Sequence, residues 1–481
     1  MTLDFTPTTV DDLDPERRPS FRLALVPVLA VVAFLGVGSA LLGLDPHAPL
    51  LWSIVFTGAF GRSLGYTWED LSDGLAGGLL MGAQALLIVF TIYALIATWV
   101  AAGTIPAMMY YGLESLTPAV FLPVAAVLAA VVAFSIGSSW TTVGTLGVAF
   151  VGIGAGLGVP APMTVGAVLS GAYAGDKQSP LSDTTNLAAG VTNTPLYDHI
   201  RRMRTGTGAA FAVAVLAFAA LGVGVDGAIP ADRVVEIQGA LAGTYDLSPL
   251  AFLPLAVTFG LAFRGYPALP SLVAGVFAGV VTSVAVQGVG FVAAWDVFLY
   301  GTEPGTGAAL VDELLATGGL SGSAWTITVV VAALALGGLL ERTGTLAVLA
   351  HRLSQGIRNS TSLIAGTGAA AIAINALTAQ QYMSIVLPGV TLRNLYEEFD
   401  LEGDQLSRAV EAAGTPTGAL IPWHAGGVFM ASATGVPTLE YAPYYLFGLL
   451  SPLVLFAMAA TGVGVPTTRR ARLPRSGLGR G

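Results

Sequence analysis

The run Gly175-Asp176-Lys177-Gln178-Ser179-Pro180-Leu181-Ser182-Asp183-Thr184-Thr185-Asn186 sets two carboxylates and the only lysine of the chain between apolar segments. Hydroxyl and amide side chains surround them. Pro180 forbids a continuous helix, so free backbone carbonyls and amides are expected beside it. In lipid such groups must be met by protein or by a water-lined cavity. Oxygen-rich side chains next to unwound backbone suit a cation that has shed its water. A carboxylate there takes either a cation or a proton, and competition for it couples the two. Ionisable groups inside a membrane are functional candidates by default. The competing reading is a solvated loop in which Asp and Asn cap helix ends.

Three further polar breaks have the same flavour. Gly137-Ser138-Ser139-Trp140-Thr141-Thr142 offers the hydroxyls of Ser139, Thr141 and Thr142, which equally suit bonds back to their own helix. Thr378-Ala379-Gln380-Gln381-Tyr382 contributes Gln380 and Gln381. Glu411-Ala412-Ala413-Gly414-Thr415-Pro416-Thr417 contributes Glu411, Thr415 and Thr417. His424, in Ile421-Pro422-Trp423-His424, titrates near neutrality in a free peptide. Its two readings are proton handling and a hydrogen-bond partner at a helix end.

The elements that position these residues follow from composition. Of 481 residues, 54% are hydrophobic and 10% charged, and mean hydropathy is +0.76. A soluble domain carries about 25% charged residues, so a polytopic membrane protein is predicted. A spanning helix needs roughly 20 apolar residues. Clear candidates are 23–44, 49–66, 79–102, 118–136, 205–225, 248–265, 267–289, 323–341, 360–376 and 437–461. Less regular stretches lie at 141–158, 160–175, 380–395 and 414–432, which gives 10 to 14 passes. With no Cys, disulfides, thiolate metal sites and cysteine nucleophiles are excluded. No His-rich metal spacing and no nucleophile–base pair appears, so an enzyme is not expected. A proton-conducting subunit of a redox complex would want Lys and Glu within several spans, which the single Lys argues against. The net charge of −9 argues against nucleic acid as a partner. Basic residues are 19 Arg to one Lys, which fits either a salt-rich habitat or a high-GC prokaryotic genome.

Residues 1–20 hold five acids and no apolar core, so no signal peptide is expected. Arg17, Arg18 and Arg22 precede the first span. Arg201, Arg202 and Arg204 flank the middle, Arg342, Arg352 and Arg358 follow 323–341, and Arg469, Arg470, Arg472, Arg475 and Arg480 fill the tail. The connection 290–322 has no Arg but holds Asp296, Glu303, Asp312 and Glu313. Arg placement predicts both termini on the cytoplasmic face of a cell membrane.

Landmarks recur at nearly constant offset: Gly103 and Gly344, 241 apart; Trp140 and Gln381, 241; Gly175 and Gly414, 239; Pro180 and Pro422, 242. Six spans between 79–102 and 323–341 make the halves antiparallel, an inverted repeat of the kind used by secondary transporters. The expected organisation is a polar tail (1–22), two spans and an amphipathic connection (23–78), and a first repeat (79–204). Linking spans with an acidic external connection (205–322), a second repeat (323–461) and an Arg-rich tail (462–481) complete it. Other features have structural readings. Gly152-Ile153-Gly154-Ala155-Gly156-Leu157-Gly158 reads as close helix packing. Glu341 beside Arg342 reads as an interfacial ion pair, and Glu69, Asp70 and Asp73 as the solvated start of a helix. Asn359-Ser360-Thr361 matches a glycosylation sequon that a cytoplasmic position makes idle.

The run Gly171 to Ala188, including the polar loop, closely resembles the signature of the NhaC-type sodium/proton antiporter family. So do Trp99-Val100-Ala101-Ala102-Gly103-Thr104-Ile105-Pro106, Tyr110-Tyr111-Gly112-Leu113 and Gln381-Tyr382-Met383-Ser384-Ile385-Val386-Leu387-Pro388-Gly389. Leu420-Ile421-Pro422-Trp423 and Gly435-Val436-Pro437-Thr438-Leu439-Glu440-Tyr441 extend the likeness over residues 80 to 450. The resemblance implies an all-α fold of two inverted repeats with broken helices or re-entrant hairpins. It also implies Na⁺/H⁺ exchange, or organic-acid exchange coupled to the same ions. Departures lie in the second half: Gln380 where relatives usually carry Asp, Ala412 where they carry Asp, and His424 where they carry Asn.

The expected function is therefore an alternating-access Na⁺/H⁺ antiporter, with an organic-acid or amino-acid antiporter on the same scaffold as the alternative. Asp176 and Asp183 would bind Na⁺ or H⁺ in turn, with Ser182, Thr184, Thr185 and Asn186 as neutral ligands. Lys177 would act as counter-charge or proton competitor. No cofactor is expected. The partners are the lipid bilayer, Na⁺ and H⁺, with a small organic anion and a homodimer left open.

Overall fold

The computed structural model describes residues 8–224 and 231–464. Helices are the regular elements among them, apart from one isolated bridge between Thr302 and Thr317. The chain enters through α1 (Phe21–Leu35) and α2 (His47–Ser63), then the 34-residue α3 (Trp68–Ala101). A first set follows: α4 (Thr104–Ser115), α5 (Pro118–Ile136), a broken element of α6 (Ser139–Thr142) and α7 (Val148–Gly156), α8 (Ala161–Asp176) and α9 (Asp183–Val191). The next stretch is α10 (Leu196–Val223), α11 (Ala231–Thr244), α12 (Leu253–Phe263) and α13 (Ala268–Ala285). Short helices α14 (Phe291–Tyr300), α15 (Ala309–Leu315) and α16 (Gly319–Gly322) lead to α17 (Ala324–Arg342). A second set comprises α18 (Thr345–Ser354), α19 (Ser360–Thr378), α20 (Gln381–Thr391) with α21 (Arg393–Glu398), α22 (Gly403–Thr417) and α23 (Ala425–Thr434). Then come α24 (Thr438–Tyr441) and α25 (Leu446–Thr461).

By length and composition, seven of these helices can cross a membrane, or up to nine if each bent pair counts as one span. The bent pairs are Arg233–Thr244 with Pro249–Phe263, at 90°, and Thr438–Tyr444 with Leu446–Thr461, at 55°. The chain is an all-α, multi-pass membrane protein. The expected 10 to 14 passes exceed that number for a physical reason. At 17 residues α2 falls just short, and the four irregular stretches form α6 with α7, α8, α20, and α22 with α23, each broken before it reaches spanning length.

Local chemistry fixes the starts of the long helices. Thr67 accepts from the Asp70 amide (3.1 Å) while the Asp70 carboxylate accepts from the Thr67 amide (2.9 Å), a reciprocal cap that starts α3 at the acidic residues. Helix α3 therefore begins eleven residues before the apolar stretch at 79, because a capped polar turn continues into it. Asn359 accepts from the Ser362 amide at 2.7 Å and caps α19, so the sequon is a helix start. Arg342 pairs with Asp70 (2.6 Å), not with Glu341; Glu341 is buried and accepts from the Thr8 amide at 3.3 Å. Neighbouring residues on a helix point about 100° apart, so the expected Glu341–Arg342 pair does not form. Arg201, Arg202 and Arg204 lie inside α10 rather than flanking it. Arg469, Arg470, Arg472, Arg475 and Arg480 fall outside the described residues. In the acidic connection, hydrogen bonds from the Thr306 hydroxyl and amide (both 2.7 Å) hold the Asp312 carboxyl below its ordinary pKa.

The two halves repeat their element order: α3 to α9 corresponds to α17 to α23. The hinges repeat too. Gly103 and Gly344 start α4 and α18 with φ of 75° and 71°, and Gly137 and Ala379 end α5 and α19 with φ of 74° and 55°. A left-handed residue at each place turns the chain sharply where a helix must stop. Exchange of packing partners follows the same pairing: α5 lies on α8 as α19 lies on α22, and α10 touches α22 as α25 touches α8. Gly171 and Gly175 bring α8 against the Ala126 and Ala130 carbonyls of α5 with no room for a Cβ. Glycines of α7 likewise face Met109 and Leu113 of α4, as expected for close packing.

Candidate functional site

Three helix breaks converge. The C-terminus of α8 delivers Asp176 and Lys177, and the N-terminus of α9 delivers Asp183 and Thr184. The start of α6 delivers Ser139, and the α19–α20 break delivers Gln380, Gln381 and Tyr382. Asp176, Asp183, Ser139, Trp140, Gln380, Gln381, Tyr382 and His424 line one cavity of about 50 Å³. Since one water needs roughly 10–15 Å³ on this measure, the space suits a few waters or one partly hydrated ion.

Asp176 is 2% exposed; one carboxylate oxygen accepts from Ser139 Oγ at 2.9 Å and the other has no partner. Asp183, exposed by contrast, accepts from the Tyr382 hydroxyl at 2.5 Å and from the Thr184 amide at 2.8 Å. The Tyr382 bond ties the first repeat to the second. So does Thr184, whose hydroxyl donates to Glu411 at 3.1 Å. Lys177, fully buried, donates from Nζ to the Glu411 backbone carbonyl. Lys177 therefore links α8 to α22 across the repeats, and Glu411 supplies a nearby opposite charge. Trp140 stacks on Phe429 of α23 with ring centroids 4.7 Å apart, a fourth contact between halves.

Several buried polar atoms here lack partners among the described residues. They are one oxygen each of Asp176 and Glu411, Gln380 Nε2, Gln381 Oε1 and the hydroxyls of Thr141, Thr415 and Tyr173. Unsatisfied buried groups are destabilising and call for an explanation. A site that must accept a polar cargo supplies one.

Other expected ligands are committed elsewhere. Asn186 is exposed and spends its amide on the Pro180 (2.9 Å) and Ser182 (2.7 Å) carbonyls, so it closes the loop rather than facing the cavity. Ser182 caps α9 by accepting from the Thr185 amide at 3.4 Å, and Thr185 donates to the Asp176 carbonyl at 3.4 Å. Thr142 bonds back to the Ser138 carbonyl (2.9 Å) and Thr417 to that of Ala413 (2.6 Å). His424 Nδ1 accepts from the Gly426 amide at 2.9 Å, so the proton resides on Nε2, which donates to Asn375 Oδ1 at 3.2 Å. Both ring nitrogens are spent in the neutral form. In this geometry His424 caps α23. Among the described residues no three His, Asp or Glu groups converge as a metal-ligand set.

Two participants escaped the sequence reading. Tyr382 was visible beside Gln381 but its hydroxyl had no stated task. Asn375, which also donates to the Gly414 carbonyl and Thr417 (3.0 Å), sat unremarked inside the apolar stretch 360–376. A lone Asn in a span is a signal, because its amide must find partners inside the protein.

Broken helices in two matching halves, meeting at buried carboxylates around a small cavity, define a polytopic secondary transporter. The sequence matches the model of the Na⁺/H⁺ antiporter family over residues 17–176 and 171–463. The chain belongs to that family and is a secondary antiporter of the NhaC type. It is 54% identical over 464 residues to the arginine/ornithine antiporter of Halobacterium salinarum, covering 96% of each chain. It is 35% identical over 451 residues to the Na⁺/H⁺ antiporter NhaC of Alkalihalophilus pseudofirmus, covering 94% of this chain and 97% of that one. With the malate-2H⁺/Na⁺-lactate antiporter of Bacillus subtilis it shares 31% over 420 residues, 87% of this chain and 90% of that one.

Proposed function

We propose that the chain exchanges cationic amino acids, arginine against ornithine, by alternating access of the cavity at Asp176 and Asp183. The observation that carries this reading is the donor set. Two carboxylates, Asp176 and Asp183, stand among neutral amides and aromatic rings, and no group of three metal-type ligands forms among the described residues. A guanidinium or ammonium group is served by one open carboxylate (Asp183), with the aromatic side chains of Trp140 and Tyr382 in the same lining. Gln380 and Ala412 remove negative charge from the second half, as suits a cargo of single positive charge. Arginine and ornithine both carry a net charge of +1, so their exchange moves no net charge and needs no coupling ion. The 54% identical relative bears that activity in its name. At about 50 Å³ the cavity is too small for either molecule, so loading requires the Asp183–Tyr382 and Thr184–Glu411 bonds to part.

The reading includes oppositely directed halves in a cell membrane, cytoplasmic termini and a salt-rich habitat. The Arg placement and the halophile relative support it. A second reading, Na⁺/H⁺ exchange, draws on the ion-sized cavity and on the NhaC relatives. Reconstituted vesicles decide between them. Uptake of labelled arginine should require internal ornithine or arginine and persist without Na⁺. Collapse of a pH gradient by Na⁺, with no arginine uptake, would establish the second reading instead.

A further inference from the structure

A second, larger cavity of about 600 Å³ lies where α10 begins and α22 starts, lined by Thr194, Arg201, Arg202, Glu402, Asp404 and Arg408 among others. Its size is that of a small-molecule site. Arg408 is 2% exposed. One guanidinium nitrogen donates to the Gly464 carbonyl at 3.2 Å, and Nε and the other terminal nitrogen have no partner among the described residues. A buried guanidinium with idle donors is expensive to keep.

Asp404 and Arg408 stand four residues apart on α22, a spacing at which opposite charges ordinarily pair along a helix. They do not pair. Arg202 of α10 takes Asp404 instead, at 2.5 Å, and leaves the second Asp404 oxygen without a partner. Of the lining charges, Arg201 and Asp198 pair with each other at 3.3 Å, which leaves Arg202 and Arg408 with Asp404 and Glu402. Glu402, 3.6 Å from Arg202, has a 77% exposed side chain and is solvated at the rim. Idle N–H donors and an idle carboxylate oxygen, one helical turn apart, are complementary to a molecule that carries a carboxylate and an ammonium on one carbon.

We propose that this cavity is a second amino-acid site, where Arg408 receives the α-carboxylate and Asp404 the α-ammonium of the ligand. Glu411, whose carbonyl holds Lys177, lies three residues further along α22, so a ligand here sits one turn from the transport cavity network. Recognition is of the α-end common to amino acids, and stands whether or not arginine is the cargo.

The test uses the full chain in detergent at fixed ionic strength, with L-alanine as probe because it has the α-end and no cationic side chain. L-alanine should raise the unfolding midpoint with saturation. Arg408→Gln should weaken its half-saturating concentration at least tenfold, and Asp183→Asn should leave it unchanged. If Arg408→Gln does not fold, Arg408→Lys and Asp404→Asn carry the test, each expected to weaken L-alanine severalfold or more. An equal response to sulfate would mean a plain anion site and overturn the proposal. So would no response to L-alanine, a response indifferent to Arg408 and Asp404, or one abolished by Asp183→Asn. If vesicles fail to exchange arginine for ornithine while L-alanine still binds through Arg408, the cargo reading falls and this site stands.

Discussion

Replacing Asp183 by Asn is the sharpest perturbation of the transport cavity, because it removes one unit of charge and almost no volume. The Asn carbonyl still accepts from Tyr382, so the bond between repeats survives; at most the second acceptor, used by the Thr184 amide, is lost. Two unit charges about 4 Å apart attract by roughly 1 kcal/mol in bulk water and about 4 kcal/mol at the effective dielectric near a protein surface. Asp183 is open to the cavity yet flanked by buried Asp176 and Thr184, which places it between those limits. A loss of about 2–3 kcal/mol for a monovalent cargo corresponds to about 30- to 140-fold in affinity. Arginine uptake into ornithine-loaded vesicles should show that rise in KM, while the unfolding midpoint in detergent moves by only a few degrees. Uptake within threefold of the unaltered chain, at normal protein yield, would remove Asp183 from the cargo's path.

Glu411→Gln should destabilise the fold, because buried Lys177 keeps the Glu411 carbonyl but loses the nearby negative charge of its side chain; adding Lys177→Met should recover part of the loss, and a double variant less stable than the single one would contradict the coupling. His424→Asn should keep the α23 cap and leave the pH profile of exchange unaltered between about pH 5.5 and 8, whereas a flattened profile would restore His424 as a proton carrier. Gly137→Ala should lower stability by at least 1–2 kcal/mol, since a left-handed Cβ there runs into the Leu181–Ser182 backbone at the mouth of α9. Ala379→Gly, at the matching hinge, should instead raise stability by about 0.5–1 kcal/mol by relieving the same strain. Opposite signs at the two hinges, read by thermal unfolding, check that the halves share a backbone; equal signs count against it.

Much of this architecture was legible because lipid leaves few options. Long apolar stretches had to be helices, and the residues that interrupted them had to lie in protein or in a cavity. Asp176, Lys177 and Glu411 were therefore findable from composition alone. The partner each side chain chooses was not. Asn186 and Asp183 belong to the same loop and offer similar oxygens. One turns to the Pro180 carbonyl and the other to Tyr382, a residue 199 positions away. Arg342 was read with its neighbour Glu341, but its guanidinium reaches Asp70 on another helix. His424 shows the limit most clearly: its titration in water suggested proton chemistry, and its ring nitrogens instead meet the Gly426 amide and the Asn375 side chain. Local sequence fixes where helices stop, and three-dimensional packing decides which atoms remain free.

The free atoms and the bonds between halves fit together physically. Asp183–Tyr382, Thr184–Glu411 and Lys177 on the Glu411 carbonyl all cross from one repeat to the other, and all involve the ends of broken helices. A continuous span could not release such contacts without losing its own ladder of hydrogen bonds. A helix end can, because its terminal groups are already unpaired by the helix itself. On the proposed reading, the idle oxygen of Asp176 and the idle amides of Gln380 and Gln381 would offer a cargo the bonds it loses on leaving water, and the crossing bonds would part to admit it. On that reading a ligand of one positive charge would take the place of the Tyr382 hydroxyl on Asp183.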